Sequence, residues 1–198
     1  MTIQSLDTQL LLLINHGTEN TLFDILMPAL SYQGYLLVLP FLLYMFVRGR
    51  TQVNSEGKGY LTAALWTIAI SCCAVFLAEW AEDVLKNAVA RERPCRAIEG
   101  IRLIIACPKS YSMPSGHAIG SFAFAIPLFY LTRDYIAGAW RSYPFVLAML
   151  IAFSRMYLGV HYPTDVLVGA LLGTVIALAL SWAYELLRKN RTRTTAVP

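Results

Sequence analysis

Three stretches of the 198-residue chain carry side chains whose types and spacing suit them to hold a phosphoryl group and attack it. In the first, Lys86 is followed after six residues by Arg93-Pro94; the second is Pro114-Ser115-Gly116-His117. The third is Ser154-Arg155, then His161, then Asp165 four residues further on. Lysine and arginine neutralise phosphoryl oxygens, and arginine does so with a fork of donors. Ser115 stands where it would cap a helix, and Gly116 lets backbone amides come close to an anion at that helix's N-terminus. His117 follows in the first turn. Asp165 lies within reach of His161, so that a carboxylate on one ring nitrogen would fix the tautomer and free the other for attack.

The elements that position these residues are membrane spans. Apolar residues make up 57% of the chain and charged residues 14%, well under the share of a soluble domain. The net charge of +4 comes without a basic, aromatic-interleaved stripe, so nucleic acid is not an expected partner. We expect an all-α membrane protein with about five transmembrane helices, near residues 28–47, 60–85, 115–131, 143–157 and 163–187. The third and fourth are short as apolar runs. Residues 1–187 would form one domain, and 188–198 a polar, disordered cytoplasmic tail. Asp7 and the short run from Leu10 to Ile14 argue against a cleaved leader. Leu6, Leu10, Leu13 and Ile14 recur at helical spacing, so 3–15 reads as an interfacial helix on the membrane, or as a buried first helix.

Five crossings bring all three stretches to one surface. Nine of the sixteen lysines and arginines (Arg48, Arg50, Lys58, Arg133, Arg141, Arg188, Lys189, Arg191 and Arg193) would then share the opposite side. Three of the remaining seven belong to the stretches themselves, which makes the nine-residue side cytoplasmic and the site external. Lys86 and Arg93, if on one continuing helix, would lie about 10 Å apart along one face. Glu79 and Asp83 share that face with Lys86, either orienting it or forming an ordinary ion pair. Arg91, Arg96, Arg102 and Lys109 make the outer loop basic, either to attract a second phosphate of the substrate or, more simply, anionic lipid headgroups. If that loop is extracytoplasmic, a Cys95–Cys107 disulfide is expected, with two free thiols the alternative. Cys72 and Cys73 read as packing residues within the second span.

Taken together, the three stretches resemble the complete signature of the type 2 phosphatidic acid phosphatases, a superfamily that includes vanadium haloperoxidases. The resemblance spans Lys86 to Asp165 and leaves the first 85 residues unmatched. It implies a membrane lipid phosphatase in which His161 is the nucleophile, oriented by Asp165, and His117 the general acid. Lys86, Arg93, Arg155 and the amides near Ser115 and Gly116 would hold the phosphoryl oxygens. No metal or other cofactor is expected, because the one carboxylate in the signature is committed to His161. The small size resembles bacterial undecaprenyl-diphosphate phosphatases of the cytoplasmic membrane. Phosphatidic acid, phosphatidylglycerophosphate and the 1-phosphate of lipid A also suit such a site. A lipid phosphotransferase and a non-enzymatic lipid-binding or transport protein are the alternatives.

Overall fold

A computed structural model describes residues 3–53 and 59–194, so Lys58 and the last four residues of the expected tail lie outside the described part. The architecture is all-α: α1 (Ile3–Gly17), α2 (Thr21–Gln33), α3 (Leu39–Thr51), α4 (Leu61–Val89), α5 (Pro94–Ala97), α6 (Gly116–Leu131), α7 (Gly138–Tyr157) and α8 (Pro163–Thr194). Three helical runs, Thr21–Thr51, Leu61–Ala97 and Pro163–Asn190, are long and apolar enough to cross a bilayer. Gly116–Leu131 is apolar but shorter. The fourth expected span, α7, is 20 residues long but less apolar, since Arg141, Ser142, Tyr143 and Pro144 fill its opening turns.

Three boundaries differ from the expectation, each for a local reason. The first apolar run is not one helix, because Gly34–Val38 tightens into a 3₁₀ turn between α2 and α3. Pro40 has no N–H to give the carbonyl four residues back, and its ring crowds that carbonyl. Gly34 is also pressed on Ile151, where an added Cβ would lie 3.0 Å from Cγ1. The helix of the second expected span, α4, ends at Val89, with Ala90 in the left-handed region (φ 49°) donating its N–H to the Lys86 carbonyl. Pro94 therefore opens the short α5, and Lys86 and Arg93 do not share one helical face. The third difference is α8, which continues as helix to Thr194 where a disordered tail is expected from Arg188.

The buried centre of the bundle is α6, with α4, α7 and α8 packed around it. Ile119, Ala123 and Ile126 meet α4 and α8 through Ala74, Ala78 and Ala177. On another side Ala118, Phe122 and Ala125 meet Ala148, Ala152 and Val166. Small residues let α6 and α8 approach almost backbone to backbone. A Cβ on Gly173 would stand 2.2 Å from the Ile119 carbonyl oxygen, and one on Gly169 would stand 2.7 Å from that of Ser115. The outer faces carry large apolar side chains instead, among them Phe76, Trp80, Val175 and Trp182, as lipid-facing helices require. Cys72 and Cys73 are exposed there and do not pack in the core. A Gly173→Ala substitution should force α6 and α8 apart. Because the neighbour is rigid backbone, thermal unfolding in detergent should show a loss of about 1–3 kcal/mol.

Candidate active site

The end of α4, the start of α6, the end of α7 and the start of α8 meet at one end of the bundle, and each brings one part of the site. His161 stands in the α7–α8 turn with 2% of its surface exposed. Arg93 Nη1 lies 2.9 Å from its Nε2. A guanidinium can only donate, so Nε2 must carry the lone pair and Nδ1 the proton. Nδ1 faces Asp165 Oδ2 at 3.5 Å, an ion-pair distance and loose for a hydrogen bond. That oxygen already accepts from the Ser112 hydroxyl and from the Tyr162 N–H at 2.9 Å. Burial pushes the His161 pKa down to about 3, with Arg93 and Arg155 acting in the same direction and Asp165 against them.

Arg93 is 3% exposed and held firmly. Its Nε donates to the Ser110 carbonyl at 2.8 Å, Nη1 to the Val160 carbonyl at 3.0 Å and Nη2 to the Ser110 hydroxyl at 3.0 Å. Arg155, at the end of α7 and 4% exposed, donates from Nη1 to the Ser31 hydroxyl. Its buried Nε has no partner. Among the described residues neither arginine forms an ion pair with a carboxylate. His117 lies in the first turn of α6, 6.4 Å from the Tyr35 ring, and within electrostatic reach of Arg155, Lys86 and Arg93.

Ser115 occupies the N-cap position of α6, but its side chain does not cap the helix. Its hydroxyl is buried without a partner, while its N–H donates to the Asp165 carbonyl at 3.0 Å. The first-turn amides behind it have no acceptor within the helix, as at any helix start. A Cβ on Gly116 would fall 2.3 Å from Glu82 Oε1, so a side chain there would push the Glu82 carboxylate aside.

Glu82 is the residue that the sequence reading misses on α4. It pairs with Lys86 one turn later, whereas Asp83 is exposed and Glu79 lies further along the same cavity wall. The glutamate-before-lysine spacing of four, the favoured helical ion pair, was the available signal. Ser112 and Asp7 are missed as well, and nothing in their sequence context marks them. Arg91 is not a lipid-attracting surface cation, because it bridges Asp7 and Asp165 at 2.6 and 2.7 Å. Of the other loop cations Arg102 is likewise neutralised, while Arg96 and Lys109 stay exposed. Arg102 pairs with Asp24 and, at 3.3 Å, with Glu19. Arg96 binds the carbonyls of Pro108 and Lys109. The structure bridges Cys95 to Cys107 within this loop.

A cavity of about 570 Å³ runs from this end into the bundle. Glu79, Glu82, Gly116 and His117 form its polar end, and Val38, Val75, Phe124, Leu147 and Ile151 continue it as an apolar channel.

The depressed His161 pKa has a stability consequence. Between pH 6.5 and about 3 the unfolded chain binds a proton at His161 that the folded protein refuses. Stability should therefore fall as pH falls through that window, by on the order of 1 kcal/mol per pH unit. Melting curves from pH 7 to 4 should show this slope in the wild type and a shallower one in His161→Asn.

Comparison with known proteins identifies the family. The PAP2 superfamily model matches residues 60–189. Over 180 residues the chain is 30% identical to the lipid A 4'-phosphatase of Bacteroides thetaiotaomicron, covering 86% of this chain and 73% of that one. It is 35% identical over 95 residues to the undecaprenyl-diphosphatase of Sulfolobus acidocaldarius, covering 48% of this chain and 44% of that protein. Its structure is similar to the crystal structure of Aquifex aeolicus LpxE, with a TM-score of 0.67 at 26% identity, over 91% of this chain and 98% of that one. With the three motifs gathered at one end of an apolar helical bundle, the chain belongs to the PAP2 superfamily, the type 2 phosphatidic acid phosphatase family, and is a membrane lipid phosphatase.

Proposed function

We propose that the protein hydrolyses a phosphate or diphosphate ester of a lipid through a phosphohistidine on His161, without a metal. The observation that carries this reading is the pair of buried guanidiniums, Arg93 and Arg155, held by neutral acceptors and the His161 ring. Buried cations without a counter-charge are costly, and a phosphoryl dianion between them and the α6 N-terminus would remove that cost. The unpartnered Ser115 hydroxyl and Lys86, the latter paired with Glu82, flank the start of α6. Clustered cations supply the charge that a metal provides in other phosphatases.

The reaction follows from the tautomer. As Arg93 Nη1 transfers its N–H from Nε2 to a phosphoryl oxygen, the freed Nε2 lone pair of His161 attacks phosphorus, the bond from phosphorus to the leaving oxygen breaks, and His117 gives that oxygen a proton. Asp165 stabilises the imidazolium that forms on the Nδ1–H side. Water then attacks the phosphohistidine, returning its proton to His117 and releasing inorganic phosphate. The lipid tail enters sideways between helices into the apolar cavity, leaving the phosphate among the cations.

Five crossings would place the site at the outer face of a bacterial cytoplasmic membrane and the C-terminus inside. Undecaprenyl diphosphate is the favoured substrate, supported by the likeness to the undecaprenyl-diphosphatase of Sulfolobus acidocaldarius. The lipid A 4'-phosphatase likeness over most of the chain makes lipid A phosphates the next candidate.

The test is phosphate release by purified protein in detergent with EDTA. The substrates are undecaprenyl diphosphate, lipid A, phosphatidic acid and phosphatidylglycerophosphate. Wild type should release phosphate from at least one, His161→Ala from none, and His117→Ala about 10²–10⁴-fold more slowly. A phosphorylated acceptor in place of free phosphate would make the protein a phosphotransferase. Loss of activity in EDTA would overturn the metal-free mechanism.

A further inference from the structure

We infer that Asp7, on the N-terminal helix, is a positioning residue of the reaction: it holds Arg91 against Asp165, and through Asp165 sets His161. The inference rests on reading His161 as the nucleophile. The helix α1 has an unusual distribution of polarity. Leu6, Leu10 and Leu13 point outward, while Asp7 (2% exposed), Leu11 and Asn15 form the buried stripe at i, i+4 and i+8. A helix needed only as a membrane anchor has no use for a carboxylate on its buried face, because burying an ion is expensive unless it is fully paired.

Asp7 is fully paired, and all its partners belong to the site. Its Oδ1 accepts from the Thr164 N–H at 2.9 Å, in the opening turn of α8 beside Asp165. Its Oδ2 accepts from the Thr164 hydroxyl at 2.5 Å and from Arg91 Nη2 at 2.6 Å. The other arm of the same guanidinium, Nη1, donates to Asp165 Oδ1 at 2.7 Å and to the Thr164 hydroxyl at 2.7 Å. The guanidinium lies 3.8 Å from the centre of the Tyr162 ring, which closes its open side. Arg91 is thus held in a fork between two buried carboxylates, one from the first helix and one that faces His161.

Each carboxylate fixes one degree of freedom of the next group. Ser112 and the Tyr162 amide grip one Asp165 oxygen, the one facing His161 Nδ1. Arg91 grips the other oxygen, and the rotation of that carboxyl group is set by both together. Arg91 alone, on a long flexible stem, would not hold a single rotamer; Asp7 fixes its far arm. The side chain is remote from any phosphoryl group, so its effect falls on the rate of attack and not on substrate binding.

Asp7→Asn keeps the shape and the bond from Thr164 N–H while removing the charge that holds Arg91. Steady-state kinetics on the best substrate should show kcat down about 10- to 100-fold with KM within twofold. Arg91→Lys, which keeps the charge but loses the fork, should behave alike. The double variant should be no slower than the slower single, since both act through one contact. Asp7→Glu should recover part of the rate. If Asp7→Asn does not fold, Thr164→Ala cuts the hydroxyl that both Asp7 and Arg91 use, and should give a smaller loss confined to kcat. Folded Asp7→Asn or Thr164→Ala with wild-type kcat, or losses that multiply in the double variant, overturns the inference. So does a lowered melting temperature with kcat unchanged. Inactive wild type overturns the phosphatase reading itself and this inference with it; active wild type beside an inert His161→Ala keeps the two apart.

Discussion

The buried carboxylate of Asp165 is the interaction on which the rest of this end of the molecule depends. It has no exposed surface and receives bonds from Arg91, the Ser112 hydroxyl and the Tyr162 amide, while facing His161. Its own backbone carbonyl accepts the Ser115 N–H that begins α6. One residue therefore joins the loop before α6, the turn after α4, the α7–α8 turn and the opening of α6. A buried charge tolerates no missing partner, so this arrangement specifies the relative placement of four segments more sharply than apolar contact does.

The helices below determine where that carboxylate can stand. Gly169 and Gly173 bring α8 against the backbone of α6 one and two turns beyond Asp165. The Asp165–Ser115 bond is the last contact of that seam. In α6, 16 residues span about 24 Å, short of a hydrocarbon core of about 30 Å. The length is tolerable because α6 is surrounded by protein: its backbone ends meet other segments, not lipid. Helix packing and charge pairing thus converge on the same few residues.

Much of this was legible in the sequence. The hydropathy pattern places Lys86, Ser115–His117, Arg155 and His161–Asp165 at one end, and the fold gathers them there. What escaped is of two kinds. Breaks inside apolar runs depended on individual backbone groups, such as Pro40 and the left-handed Ala90, whose effect on a continuous hydrophobic stretch has no hydropathic signal. Long-range polar partners were the other kind. Asp7 reaches Arg91 across 84 positions and Ser112 reaches Asp165 across 53, and no local periodicity reports such a meeting. Glu82 was different, since its spacing from Lys86 is local and readable.

The site handles its buried arginines in two ways, and the contrast separates scaffold from chemistry. Arg91 is neutralised on both arms by Asp7 and Asp165 and cannot accept another anion without breaking the network that holds it. Arg93 and Arg155 are more deeply buried than Arg91, yet carbonyls, hydroxyls and an imidazole hold them without cancelling their charge, and the Arg155 Nε keeps no partner at all. Neutral acceptors fix the direction of a guanidinium and leave its field intact. Donors already aimed need no reorganisation when negative charge develops on a transferring phosphoryl group, and in a site of low polarity that is the largest contribution available. Asp7 and Asp165 stand behind His161, on its Nδ1 side, where they hold Arg91 and orient the nucleophile, while Glu82 lies on the cavity side and pairs with Lys86.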